Sequence, residues 1–334
     1  MSLLDRERIK LITLQQRIKS SLDRFELEFD AVMNGGSPLV QDICDHLLKG
    51  KSKRFRPTLL LLSAQHRDQV DPRAITAAAC VELVHTATLI HDDFIDAALT
   101  RRGLPTINQA WGGAAALIMG DLLYSKALDV LCRSQQYFAV DLMARTTLLM
   151  SQAEMLQLEL KYNLSITEDQ YMQVIYQKTA SLIETACRIG AHYNPAADGN
   201  LEAYAKFGRK LGLVFQITDD IFDYLGDERR LGKPTGQDWE EGRITLPLIA
   251  ALKKAPPERR KQIVVEVTPG NGEQRSASWP EVKSFVTEFG GVEDAFAVAH
   301  RCGEEAKQAL APVASGTQKD MLAVAVEYVI NRLH

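Results

Sequence analysis

Residues 81–103, VELVHTATLIHDDFIDAALTRRG, close an apolar helical pattern with three aspartates, Asp92, Asp93 and Asp96, and then Arg101 and Arg102. Residues four apart stack on one face of a helix, so Asp92 and Asp96 point the same way. Two carboxylates at that spacing repel by roughly 1 kcal/mol in water and by more in a cleft, and such a pair asks for a cation. A second cluster with the same spacing, Asp219, Asp220 and Asp223, ends another long apolar pattern. One such cluster is commonplace on a helix surface. Two on facing helices put up to six carboxylates around one cavity. Magnesium takes carboxylate and water oxygens in octahedral geometry and completes its shell with substrate phosphates. The paired clusters therefore point to a di- or polyphosphate held through bridging metal ions. The bases agree with that anion: Arg101, Arg102, Lys178 and Lys233, together with Lys53 and Arg56 from the run Lys51-Ser52-Lys53-Arg54-Phe55-Arg56. Arginine forks match phosphate oxygens, and lysine supplies a point charge.

The elements that must position these groups are helices. Residues 4–33 carry apolar side chains at three- and four-residue spacing and stop at Asn34-Gly35-Gly36-Ser37-Pro38. Further helices are expected over 38–49, from Pro57 onward, and over 73–98, the last apolar on almost every side, as a helix buried in a bundle is. The pattern continues with helices over 112–131, 138–162, 201–225, 246–254, 257–266, 279–289, 292–311 and 317–333. Ser165-Ile166-Thr167-Glu168 supplies a capping box for the helix that carries Lys178. Thr100–Pro105 and 226–242 are expected as loops, and 267–278 as a surface excursion. No alternating strand pattern persists, so the fold class is all-α: a single large helical bundle around a deep central cavity, one domain over 1–334.

Composition narrows the function. The chain has 334 residues, 46% hydrophobic and 25% charged, which suits a soluble globular protein. A formal net charge of −4 gives no reason to expect nucleic acid. The five cysteines are widely spaced and form no C-x-x-C pair, so they are expected as reduced, packed thiols in a cytoplasmic protein. The start is charged, unlike a signal peptide, and no run of 18 apolar residues is present, so no membrane span is expected.

These motifs resemble those of the trans-isoprenyl diphosphate synthases, most of all the long-chain octaprenyl- and heptaprenyl-type enzymes. H-D-D-F-I-D with R-R-G is similar to the family's first aspartate-rich motif, and F-Q-I-T-D-D-I-F-D with G-K-P-T-G-Q-D to its second. K-S-K-R-F-R-P, E-L-V-H-T-A, K-T-A and E-G-R-I-T-L-P stand in family order, so the resemblance spans nearly the whole chain. It implies an all-α homodimer and a Mg²⁺-dependent head-to-tail condensation. Isopentenyl diphosphate would extend an allylic diphosphate through a carbocation, with release of diphosphate. Residue by residue, it implies that Asp92 and Asp96, supported by Asp93, hold two metal ions, and that Asp219, with Asp220 and Asp223 nearby, holds another, about three Mg²⁺ in all. Arg101, Lys178 and Lys233 would bind the allylic diphosphate, and Lys53, Arg56, His85 and Arg102 that of isopentenyl diphosphate. Thr179 and Gln216 would line the reacting centre. His91 has no role to inherit and is expected to be structural. Lys51 and Ser52 stand where the family commonly has glycines, Ala97 and Ala98 where it has polar residues, and Arg243 where lysine is frequent.

Ala87 and Thr88 lie about one helical turn (~5.4 Å) deeper than Asp92. Short-chain members of the family block the growing tail here with aromatic side chains, so small ones imply a long-chain product, with the floor set deeper, at Val84 or Leu122-Leu123-Tyr124. Association with a membrane through the product alone would then be peripheral. Three other functions compete: a shorter-chain farnesyl or geranylgeranyl synthase, a class I terpene cyclase, and a non-catalytic synthase subunit. Cyclases usually replace the second aspartate motif and non-catalytic subunits lose theirs, whereas both clusters stand here.

Overall fold

The computed structural model describes residues 11–50, 52–197, 199–225, 235–267 and 272–331. Helices make up nearly all of it. After a helical stretch over 11–17 come α1 (Lys19–Met33), α2 (Pro38–Lys49), α3 (Phe55–Ala64) and α4 (Pro72–Ile95). After a two-strand ladder come α5 (Ile107–Trp111), α6 (Gly113–Arg133), α7 (Tyr137–Leu160) and α8 (Glu168–Ile175). A π-helical turn, Tyr176–Ala180, joins α8 to α9 (Ser181–His192). The chain continues through α10 (Leu201–Leu225), α11 (Gln237–Glu240), α12 (Leu246–Lys254), α13 (Pro257–Val267), α14 (Gly272–Glu288), α15 (Gly291–Ala309) and α16 (Thr317–Ile330). Their apolar faces merge into one continuous core cluster that runs from Leu11 to Ile330.

The centre is α4, packed against α1, α3 and α6. By length and composition it could cross a membrane, but 67% of its most apolar window is buried inside the bundle, as a core helix requires. Its close approach to α6 depends on glycine. A Cβ on Gly120 would stand 2.1 Å from His91 Nε2, and one on Gly113 would stand 2.4 Å from the Phe94 ring. His91, whose Nε2 lies 3.0 Å from the Leu117 carbonyl, thus helps set the spacing of the helix end that carries the first aspartates.

Several boundaries differ from the sequence expectation. α3 starts at Phe55, with Pro57 in its first turn, because Arg54 adopts a left-handed backbone (φ 51°) that turns the chain into the helix. α4 stops at Ile95, before a left-handed Ala97 (φ 51°). The capping box is Thr167 with Gln170, two residues beyond the one expected. Thr100–Pro105 is a miniature hairpin, with Thr100 opposite Pro105 and Arg101 opposite Leu104. Its turn residues, Arg102 (φ 55°) and Gly103 (φ 77°), share the positive φ that two-residue hairpin turns favour. Residues 272–278 belong to α14, which accommodates Pro280 within it.

Candidate active site

The C-terminal turn of α4 sends its aspartates in two directions. Asp92 and Asp96 line a cavity of about 240 Å³, whose other walls include Lys178, Thr179, Gln216, Asp220 and Asp238. Burial pushes the Asp92 carboxyl up to about 6, with Glu154 and Asp96 adding repulsion and Lys178 opposing it. Asp93 is 5% exposed, and both its oxygens accept from Arg101 Nε, at 2.7 and 2.8 Å. The hairpin after α4 thus folds Arg101 back onto the helix it follows.

The second cluster ends α10, and here too the carboxylates differ. Asp220 is buried and accepts from the Tyr171 hydroxyl at 2.6 Å and from Gln216 Nε2 at 2.8 Å. Burial and the neighbouring Asp238 raise its pKa well above the carboxylate range. Asp223 accepts from the backbone N–H groups of Gly236, Gln237 and Asp238 at 2.9, 3.1 and 3.1 Å. It therefore caps the start of α11, and burial with repulsion from Asp238 still pushes it up to about 6. Asp219 is half-buried, and its charge reaches Arg56.

Cationic side chains connect the walls. Lys178, in the π-turn, meets Glu154 at 2.5 Å, Gln157 at 3.5 Å and Asp92 at 3.9 Å. Such one-residue bulges in a helix are frequent at functional sites, and this one sets Thr179 beside Gln216, where the hydroxyl donates to Oε1 at 2.7 Å. Arg243 joins Asp96 (3.3 Å) to Asp238 (2.9 Å) and also pairs with Glu241. On the adjoining face of α4, Arg56 Nη1 lies 3.1 Å from His85 Nε2. Burial, with Arg56 and Arg102 close by, holds His85 well below its ordinary pKa, so the ring is neutral. Arg56 Nε is buried without a hydrogen-bond partner.

The donor set suits a hard divalent cation: carboxylate oxygens on facing walls, several of them driven toward protonation by burial and mutual repulsion. Among the described residues, no three His, Cys, Asp or Glu side chains converge closely enough to enclose an ion without outside oxygens.

Comparison with known proteins gives the family. Residues 37–281, well over half of the chain, match the family model described as polyprenyl synthetase. The chain belongs to that family. It is 36% identical to the octaprenyl diphosphate synthase of Escherichia coli K12 over 243 residues, 72% of this chain and 74% of that one. It is 33% identical to a short chain isoprenyl diphosphate synthase of Methanothermobacter thermautotrophicus over 294 residues, 87% and 89% of the two chains. Among solved structures it is similar to a polyprenyl synthase from Caulobacter crescentus CB15 complexed with calcium and isoprenyl diphosphate. The TM-score is 0.88 and the identity 28%, with 96% of this chain and 97% of that chain covered.

In this polyprenyl synthetase, the residues singled out by motif are only partly brought together. Asp92, Asp96, Arg101, Lys178, Thr179, Gln216 and Asp220 line one cavity. Arg56 and His85 form a pair beside it, Arg102 sits at the hairpin turn, and Lys53 is exposed, its carbonyl accepting from Gln15 at 2.9 Å. Lys233 lies outside the described residues. Of the two small residues below Asp92, Ala87 is sealed in the core (0% exposed), whereas Thr88 is half-buried, its hydroxyl donating to the His85 carbonyl at 2.8 Å. Arg54, one of the four bases in the basic run, is clamped by Glu26 and Glu82 at 3.0 and 3.1 Å. Glu154, Gln157 and Tyr171 lie outside every motif, and Asp238 and Glu241 lie within G-K-P-T-G-Q-D and E-G-R-I-T-L-P without a role read from them. Glu154 and Gln157 share a face of α7 by their three-residue spacing, but nothing local marks that face as a cavity wall.

Proposed function

We propose that this polyprenyl synthetase is a Mg²⁺-dependent prenyltransferase that joins isopentenyl diphosphate head-to-tail to an allylic diphosphate and makes a long-chain all-trans polyprenyl diphosphate. The observation that carries this reading is the single cavity lined by carboxylates of both aspartate clusters, by Lys178 and by Arg101. It accords with the relatives' names and with the calcium and isoprenyl diphosphate of the Caulobacter enzyme.

Asp92 and Asp96 from the end of α4 and Asp219 from the end of α10 would hold the metal, about three ions, with substrate oxygens completing each shell. When bound, Mg²⁺ neutralises the diphosphate as it leaves. Lys178, steadied by Glu154 and Gln157, and Arg101, steadied by Asp93, hold the allylic diphosphate, with Lys233 completing that set. Arg56, Arg102, Lys53 and the neutral His85 hold the other diphosphate. The unpartnered Arg56 Nε offers a donor of the kind a phosphate oxygen takes. As the allylic C–O bond breaks, the Thr179 hydroxyl and the Gln216 carbonyl oxygen face the cation. The double bond of isopentenyl diphosphate attacks it, and the proton then lost goes to the departing diphosphate.

Thr88 favours the long-chain product, because a small, half-buried side chain one turn below Asp92 leaves the tail room to pass. The polypeptide acts as one domain over 1–334, in the cytoplasm, touching membranes only through its product. Its assembly is a homodimer through α6 and α7, which expose Leu117 (49%), Ile118 (65%), Leu148 (60%) and Met155 (61%).

The test is incorporation of labelled isopentenyl diphosphate onto geranyl, farnesyl and geranylgeranyl diphosphates with Mg²⁺, the dephosphorylated products being sized by chromatography. Asp92→Ala is expected to lower turnover by roughly 10³-fold, the scale of losing a principal electrostatic stabiliser. Failure of the unmodified protein to extend any of the three primers rejects the reading.

A further inference from the structure

One buried side chain of the cavity wall has no place in the reaction as described. Tyr171 is 3% exposed and sits in the first turn of α8, whose start is fixed by the Thr167–Gln170 capping box. Its hydroxyl ends a chain of hydrogen bonds that crosses three elements. Tyr171 Oη donates to Asp220 Oδ2 at 2.6 Å, Gln216 Nε2 donates to Asp220 Oδ1 at 2.8 Å, and Thr179 Oγ1 donates to Gln216 Oε1 at 2.7 Å. Tyr171, Asp220, Gln216 and Thr179 line the same cavity as Asp92 and Lys178.

We propose that Tyr171 is a positioning residue for the reacting centre, acting through Asp220 to fix which way the Gln216 amide faces. Gln216 presents Nε2 to Asp220 Oδ1 and Oε1 to the Thr179 hydroxyl, so the two ends of the amide are held by different neighbours. The arrangement holds only while Asp220 itself cannot turn, and the phenol on Oδ2 is what stops it. With the amide so fixed, Gln216 Oε1 keeps a second lone pair for the cavity. That places a negative dipole, preorganised and without bulk water, where positive charge develops. Without the phenol, Asp220 is free to rotate, the amide loses its reference, and water competes for the cation.

The inference rests on the prenyltransferase reading and is tested in a way that separates the two. Tyr171→Phe keeps the ring and removes only the O–H. It is expected to lower kcat about 10-fold, the lower end of what losing an outer-shell partner costs, and to leave KM for both diphosphates within about 2-fold, since the diphosphate ligands are untouched. The ratio of free allylic alcohol to elongated product should rise, a partition that a general loss of packing does not move. In a Gln216→Ala background, Tyr171→Phe should change neither kcat nor this ratio further, because the two act as one unit. An unchanged alcohol-to-product ratio in Tyr171→Phe, or the same loss with and without Gln216, overturns the inference. A wild-type protein that fails to condense the substrates overturns the prenyltransferase reading instead.

Discussion

Arg54 offers a sharp test of how the basic run before α3 divides its labour. Its guanidinium bonds Glu26 with Nε and Nη2, both at 3.0 Å, meets Glu82 through Nη1 at 3.1 Å, and lies 4.4 Å from the centre of the Phe29 ring. The Glu82 side chain is 3% exposed and that of Arg54 16%. Arg54→Met therefore strands a buried carboxylate. Removing one partner of a buried pair costs roughly 3–5 kcal/mol. Ser52 still donates to Glu82 at 2.9 Å, which favours the lower end of that range. Unfolding entropy of about 2.1 cal/mol/K per residue amounts to roughly 0.7 kcal/mol/K for 334 residues, so a loss of about 3 kcal/mol lowers Tm by about 4 °C. Calorimetry reads that shift, and steady-state kinetics on the same sample should give a KM for isopentenyl diphosphate within about 2-fold of wild type. Adding Glu82→Gln should recover much of the lost Tm, because no carboxylate then remains buried without its partner. Arg56→Met should do the reverse and raise KM with little change in Tm. If Arg54→Met melts within about 1 °C of wild type while its KM climbs, that result would falsify the assignment of Arg54 to the scaffold and make it a phosphate ligand.

Two further substitutions probe α4. Thr88→Phe, on a half-buried side chain, should shorten the product, read by chromatography after dephosphorylation. Ala87→Phe, at a position with 0% exposure, should instead destabilise by about 1–3 kcal/mol through overpacking, read as a fall in Tm. Gly120→Ala puts a methyl 2.1 Å from His91 Nε2. It should displace the ring, shift the end of α4, and raise both the Mg²⁺ needed for half-maximal rate and the thermal lability. Unchanged metal dependence in that variant would show that the α4–α6 spacing does not set the position of the aspartates.

Long, strongly patterned elements were legible in the sequence, and special turns were not. The limits of α10 (Leu201–Leu225) and α12 (Leu246–Lys254) follow from their apolar periodicity and the turn residues around them. α14 was missed over 272–278 because the segment is polar and Pro280 follows it, while contacts to α12, α13 and α15 outweigh local propensity. The turn at Arg102-Gly103 carried a readable signal, since glycine at the second turn position suits positive φ. Arginine is an unusual partner for it, which is why the segment looked like plain loop. In the site, the repeated aspartate spacing was visible, but spacing does not say which oxygens the fold itself engages. That depends on Arg101 returning through the hairpin, on backbone amides at 236–238, and on a tyrosine 49 residues before its partner.

Those engagements bear on how the site tolerates so much negative charge. Of the six aspartates in the two motifs, Asp93 is paired with Arg101, Asp223 is held by three backbone amides, and Asp220 by a phenol and an amide. Each of these contacts is short and directional, between 2.6 and 3.1 Å. Asp92 and Asp96 differ: Lys178 stands 3.9 Å from Asp92, beyond hydrogen-bond reach, and Arg243 gives Asp96 one long hydrogen bond of 3.3 Å. On the proposed reading, that looseness is functional. A carboxylate locked by a short bidentate pair must give up those bonds before it can bind metal, whereas one balanced at long range exchanges one cation for another at little cost. Lys178, held at close range by Glu154 and not by Asp92, would keep its place whichever cation balanced Asp92, and its charge would face the diphosphate.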